Sequence, residues 1–162
     1  MPKTLFLVRH SEAEEPSGQL KDIDRALTPN GRRDATRLGN FLADEGITPE
    51  LIITSNAQRA VSTAEIIAER VEYDLDKIKA NEELYEPSVR ILLRIVNEMS
   101  TGLDNALLVS HNPAITFLAD YLTSEDLGSM SAGTMVTLTF DLSDWSEISQ
   151  HTGSIKAVRH PD

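Results

Sequence analysis

Three short apolar runs constrain this chain more than any other feature, because each stops abruptly at polar residues and is followed by a segment of helical period. The runs are residues 4–8 (TLFLV), 51–54 (LIIT) and 106–109 (ALLV). They do not alternate with polar residues, so they read as strands covered on both faces. Between them, residues 27–46 carry Ala35, Leu38 and Leu42 at helical spacing with Phe41 beside them, and Gly46 is a natural stop. Residues 55–71 place Ala57, Ala60, Val61, Ala64, Ile67 and Ala68 on one stripe. Residues 86–99 repeat the pattern with Val89, Leu92, Leu93 and Val96, after a weaker strand at 78–81. Residues 110–122 form a further helix with Pro113 near its first turn.

Strands alternating with helices predict an α/β fold: a single-domain three-layer α/β/α sandwich around a mostly parallel sheet. Residues 134–140 differ from the earlier runs. Val136, Leu138 and Phe140 alternate with Met135, Thr137 and Thr139, which predicts a half-exposed, antiparallel edge strand. The last twenty residues show no clear pattern beyond Trp145 as a core anchor.

At 162 residues the chain suits one domain with a substantial core. Its 15 basic and 26 acidic residues leave a net charge of −11, which argues against nucleic acid or an anionic membrane as partner. A local cationic pocket remains compatible with that balance, because charge acts over short range. The absence of cysteine excludes disulfides, thiolate metal sites and cysteine nucleophiles. No apolar run suggests a membrane span, and the N-terminal apolar stretch is too short for a signal peptide, so a cytoplasmic protein is expected.

In a parallel α/β sheet, sites gather at the carboxyl ends of the strands. Here the first run ends in Arg9-His10, the second in Ser55 with Arg59 four residues on, and that at 106–109 in Ser110-His111-Asn112. If these strands are neighbours, two arginines and two histidines converge where two helices begin, a setting suited to a dianionic phosphoryl group. Singly, each residue has an ordinary reading as a solvated or satisfied polar group; their joint placement is what carries weight. A second Arg-His pair, Arg159-His160, lies in a polar tail and carries little.

These motifs resemble the histidine phosphatase superfamily, with its phosphoglycerate mutase-like fold, and within it the short SixA-like phosphohistidine phosphatases. The Arg-His-Gly signature corresponds to Arg9-His10-Ser11. The LTxxG segment is Leu27-Thr28-Pro29-Asn30-Gly31, SxxxRAxxTA spans Ser55 to Ala64, and the strand-end V(S/G)H is Val109-Ser110-His111. Ser11 in place of glycine alters the backbone if that position needs a positive φ.

The resemblance implies one histidine phosphatase domain over residues 1–162, with His10 as a covalent nucleophile that needs neither metal nor cofactor. Arg9, Arg59 and His111 would bind the phosphoryl oxygens, with the Asn112 backbone N–H as an extra donor. A carboxylic acid would protonate a leaving alkoxide, for which Glu86 is the candidate and Glu83 the reserve. The implied substrate is a phosphoryl group on a protein, such as phosphohistidine; a small phosphomonoester is the alternative. A phosphate-binding module without turnover is the competing reading from another class. The sequence carries no HxH or HExxH metal spacing and no GxxxxGK[ST] loop, and its Asp22-Ile23-Asp24 pair follows no buried strand.

Overall fold

The computed structural model describes residues 2–161. Six strands form one sheet in the order β3-β2-β4-β1-β5-β6. They are β1 (Lys3–Arg9), β2 (Ile52–Ser55), β3 (Lys79–Asn81), β4 (Asn105–Ser110), β5 (Met135–Phe140) and β6 (Gly153–Arg159). Four α-helices, α1 (Pro29–Asp44), α2 (Gln58–Arg70), α3 (Val89–Asn97) and α4 (Ala114–Thr123), pack on its two faces.

Strand β1 shows how the pleat divides the core. Leu5 and Leu7 enter the cluster with Leu92, Val96, Ile115, Leu118 and Trp145, on the α3 and α4 side. Phe6 and Val8 enter the opposite cluster with Leu38, Leu42, Ala64 and Ile67, on the α1 and α2 side. Each such side chain contributes roughly 1.5–3 kcal/mol on burial, so the unbroken apolar run directly favours the strand's central position. Trp145 is the expected anchor, fully buried with its indole N–H donated to the Leu103 carbonyl at 2.9 Å.

The helix boundaries follow local chemistry. Thr28 caps α1 by accepting the Gly31 N–H at 2.9 Å, with Pro29 in the first turn. At the other end Gly46 takes φ +70° and donates to Ala43, while Ile47 donates back to Leu42. That pair of bonds is a Schellman closure. Gly31 also has a steric reason: a Cβ there would lie 2.1 Å from the Glu12 carbonyl oxygen. The LTxxG segment therefore seats the start of α1 directly against the loop that follows β1.

The expected edge is displaced by one strand. Residues 135–140 lie inside the sheet, antiparallel to both β1 and β6, and it is β6 that forms the edge. Met135 and Thr137 are buried despite the alternation, because β6 closes the ladder beside them and Met135 packs in the α1–α2 cluster. Among the described residues no helix is long and apolar enough to cross a membrane.

Candidate active site

Strands β2, β4 and β1 are adjacent and parallel, and their carboxyl ends are level. Arg9 pairs with Ser110 across β1 and β4, and Thr54 pairs with Val109 across β2 and β4. The three polar strand ends therefore meet at one rim. A cavity of about 460 Å³ opens there, and Arg9, His10, Arg59, Glu86, His111 and Asn112 all line it. Every first-choice residue expected from the sequence is thus brought to one place. Glu83, the reserve, is not: its carboxylate pairs with Arg94 at 2.5 Å outside the cavity.

His10 is buried, and its Nδ1 lies 2.8 Å from the Ser11 carbonyl. A carbonyl can only accept, so Nδ1 carries the proton and Nε2 keeps its lone pair. Burial, reinforced by the charges of Arg59, Arg9 and Arg25, lowers the His10 pKa to about 4, so the ring is neutral at pH 7. His111 packs beside it, the ring centroids 5.0 Å apart, and its pKa is lowered to about 3, chiefly by burial. Its Nε2 is 2.8 Å from the hydroxyl of Ser55.

Two arginine donors in this cavity are shut off from solvent without a protein partner, the Nε–H groups of Arg9 and Arg59. Both residues also line the cavity, to which their guanidinium groups bring two fixed positive charges. The remaining arginine contacts hold the groups in place. Arg9 Nη1 donates to the Met130 carbonyl at 2.9 Å, and Arg59 is held by Asp22, whose carbonyl and carboxylate lie 2.8 and 3.1 Å from its Nη1 and Nη2. The Asn112 side chain is spent on Met130, Ser129 and Thr116, whereas its backbone N–H has no partner among the described residues.

The loop after β1 supplies groups that motif reading missed. Asp22 lines the cavity and binds Arg59, Arg25 and the Tyr85 hydroxyl together. The Tyr85 O–H, then Arg59 and Arg25, hold the Asp22 carboxyl down at about 2, so it stays ionised. Tyr85 also faces Arg59 with its ring at 5.9 Å and sits edge-on to His111 at 5.8 Å. The Ser110 hydroxyl donates to the Leu84 carbonyl at 3.0 Å and pins this segment to the β4 end. Spacing in the sequence hides these partners: Asp22 is 37 residues from Arg59 and 63 from Tyr85.

Ser11 does not take a positive φ, so the serine in place of glycine leaves the backbone unstrained. Its N–H is donated to Thr63 Oγ1 at 3.0 Å, joining the signature after β1 to α2. Arg159 stands apart, its guanidinium 4.7 Å over the Phe41 ring. Among the described residues no group of three or more His, Asp and Glu side chains is arranged to hold a metal ion.

Comparison with known proteins gives a family and a fold. A sequence model described as the histidine phosphatase superfamily (branch 1) matches residues 5–92. The 2,3-bisphosphoglycerate-dependent phosphoglycerate mutase of Nocardia farcinica is 41% identical over 68 residues, covering 41% of this chain. That match spans only 28% of the mutase's own length. An uncharacterized protein of Mycobacterium leprae is 27% identical over 128 residues, 77% of this chain and 76% of that protein. Among solved structures, a Nakamurella multipartitia protein provisionally named phosphohistidine phosphatase SixA superposes with a TM-score of 0.81 at 25% identity, covering 99% of this chain and 97% of its own. The protein histidine phosphatase SixA complexed with tungstate has the same fold, with a TM-score of 0.80 at 22% identity and coverage of 98% and 97%.

Proposed function

Because the chain belongs to the histidine phosphatase superfamily, we propose that it is a single-domain phosphatase working through a covalent phosphohistidine on His10. The observation that carries this reading is the orientation of His10. With Nδ1–H donated to Ser11, the lone pair of Nε2 is left for attack in a cavity lined by Arg9 and Arg59. Phosphoryl transfer depends mainly on positioning and charge stabilisation, which these groups supply.

In the first step His10 Nε2 bonds to phosphorus while the bond to the leaving oxygen or nitrogen breaks. The imidazole gains positive charge, which the Ser11 carbonyl stabilises through the retained Nδ1–H. Arg9, Arg59, His111 and the Asn112 N–H hold the non-bridging oxygens. Glu86 protonates a leaving alkoxide. In the second step water attacks phosphorus, Glu86 takes its proton, the P–N bond breaks, and inorganic phosphate leaves with His10 neutral again.

For the substrate we propose protein phosphohistidine. The likeness over nearly the whole chain to the Nakamurella multipartitia protein provisionally named phosphohistidine phosphatase supports this, as does an exposed rim with Glu86 and Glu12 at the mouth. Position of Glu86 in the cavity favours a second reading, a phosphomonoesterase that needs an acid for its alkoxide. The expected setting is the cytoplasm.

The test pairs a phosphohistidine protein with p-nitrophenyl phosphate as substrates and traps the phosphoenzyme. An acid-labile, base-stable adduct is expected, absent in His10→Ala. Full activity of that variant, or strict dependence on added divalent metal, overturns the mechanism. Phosphate binding without turnover of either substrate leaves the module reading in its place.

A further inference from the structure

Ser55 ends β2 without accessible surface, and its hydroxyl sits between two nitrogen groups. Oγ accepts the Ala57 backbone N–H at 3.1 Å and lies 2.8 Å from His111 Nε2. One proton occupies the second line, and it belongs either to the serine or to the imidazole. Were Nε2 the donor, Oγ would accept two N–H groups, and the buried hydroxyl proton would have no acceptor among the described residues. Donation from serine to Nε2 satisfies the amide, the hydroxyl and the imidazole nitrogen together.

A neutral imidazole carries one N–H, so a proton accepted at Nε2 requires the other nitrogen to be the donor. His111 Nδ1 has no protein partner and, unlike the Arg59 Nε, is not sealed from solvent; His111 lines the cavity, so Nδ1 opens onto it. We infer that Ser55 is a positioning residue whose buried hydroxyl holds His111 as the Nδ1–H tautomer, so that the ring shows the cavity a donor instead of a lone pair. The purpose of this arrangement rests on reading the cavity as a phosphoryl site; the proton assignment does not.

The consequence is a division between two neutral rings. His10 and His111 share the Nδ1–H tautomer but are turned opposite ways, because one neighbour is an accepting carbonyl and the other a donating hydroxyl. His10 thereby presents its lone pair and His111 its N–H. A lone pair in the second position would repel phosphoryl oxygens, and a second exposed nucleophile would compete for phosphorus.

Nitrogen-15 NMR of the full chain at pH 7, with ring signals assigned through His10→Ala and His111→Ala, reads the tautomer directly. The expected result is a protonated Nδ1 and an unprotonated Nε2 on His111. A protonated Nε2 on His111 overturns the inference even if the chain binds inorganic phosphate normally. Failure of the wild-type chain to bind inorganic phosphate instead overturns the reading of the cavity. Ser55→Ala is expected to weaken inorganic phosphate about tenfold and to mix the two His111 tautomers, with Ser55→Thr restoring both. Unchanged phosphate affinity and tautomer in Ser55→Ala overturns the assignment.

Discussion

Asp22 and Arg59 are joined twice, through the carbonyl at 2.8 Å and the carboxylate at 3.1 Å, yet Arg59 keeps its buried Nε–H unpaired. Both bonds fall on the Nη end of the guanidinium and fix its orientation in the cavity lining. Asp22 thus acts as a positioning partner of Arg59. Asp22→Ala is expected to lower kcat/KM for p-nitrophenyl phosphate about tenfold, mostly through KM, with Asp22→Asn intermediate. The modest size reflects a half-exposed carboxylate, whose pairing water screens. A faster Asp22→Ala enzyme would show that Asp22 competes with substrate.

Glu86 and Glu83 separate cleanly in position, so their variants should separate in effect. Glu86→Gln is expected to slow phosphomonoester hydrolysis by about 10²-fold, the usual scale for general acid catalysis. The same variant should cost phosphohistidine hydrolysis much less, since imidazole is the better leaving group. Glu83→Gln should leave both rates within about twofold, since exposed ion pairs contribute little. Steady-state rates on an alkyl phosphomonoester and on a phosphohistidine protein check all three statements.

The histidines set two separate pH dependences. Because His10 titrates near 4, its nucleophilic form should persist well below the usual histidine value of about 6.5. The acid limb of kcat/KM should accordingly fall below pH 5. Stability moves the other way from a histidine gaining a partner. Between about pH 6.5 and 4 the unfolded chain binds protons at His10 and His111 that the folded chain does not, so stability rises with pH across that window. Urea midpoints at pH 7, 5.5 and 4.5 should decline in that order, and less steeply in His111→Asn.

Gly31 and Gly18 provide a matched pair for packing. A Cβ at Gly31 meets the Glu12 carbonyl at 2.1 Å, while one at Gly18 meets nothing within 4 Å. Gly31→Ala should destabilise by about 1–3 kcal/mol, the range for overpacking against backbone. It should also reduce activity, since Glu12 lies two residues from His10. Gly18→Ala should change the thermal midpoint little. Equal midpoints for the two variants would remove the steric account of this glycine.

Much of this site was legible because the chemistry sits at the ends of apolar strands. Arg9, His10 and His111 stand out where a two-face-covered strand meets polar sequence, and helical spacing puts Arg59 in the next helix's first turn. Asp22 and Tyr85 were not legible, because each owes its place to groups remote in sequence and neither interrupts a pattern. Ser55 was visible as a strand end, but its hydrogen bond to His111 arises only from the parallel pairing of β2 with β4. The alternation in β5 described its chemistry correctly and its neighbours wrongly: Met135 and Thr137 are buried where β6 closes the ladder beside them and Met135 packs in the α1–α2 cluster. Strand β6 itself, with mixed exposure, has no pattern from which its place could be read.

The loop after the first signature is tied at its neck, where Ala13 bridges Leu27, Glu14 N–H reaches the Ala26 carbonyl, and Arg25 reaches back to Glu14. Its ends are therefore set whatever its tip contains. Doubling a flexible loop costs only about 0.6 kcal/mol in closure entropy. The exposed tip around Gly18 is accordingly a graft point, where added residues would leave the ties at the neck intact.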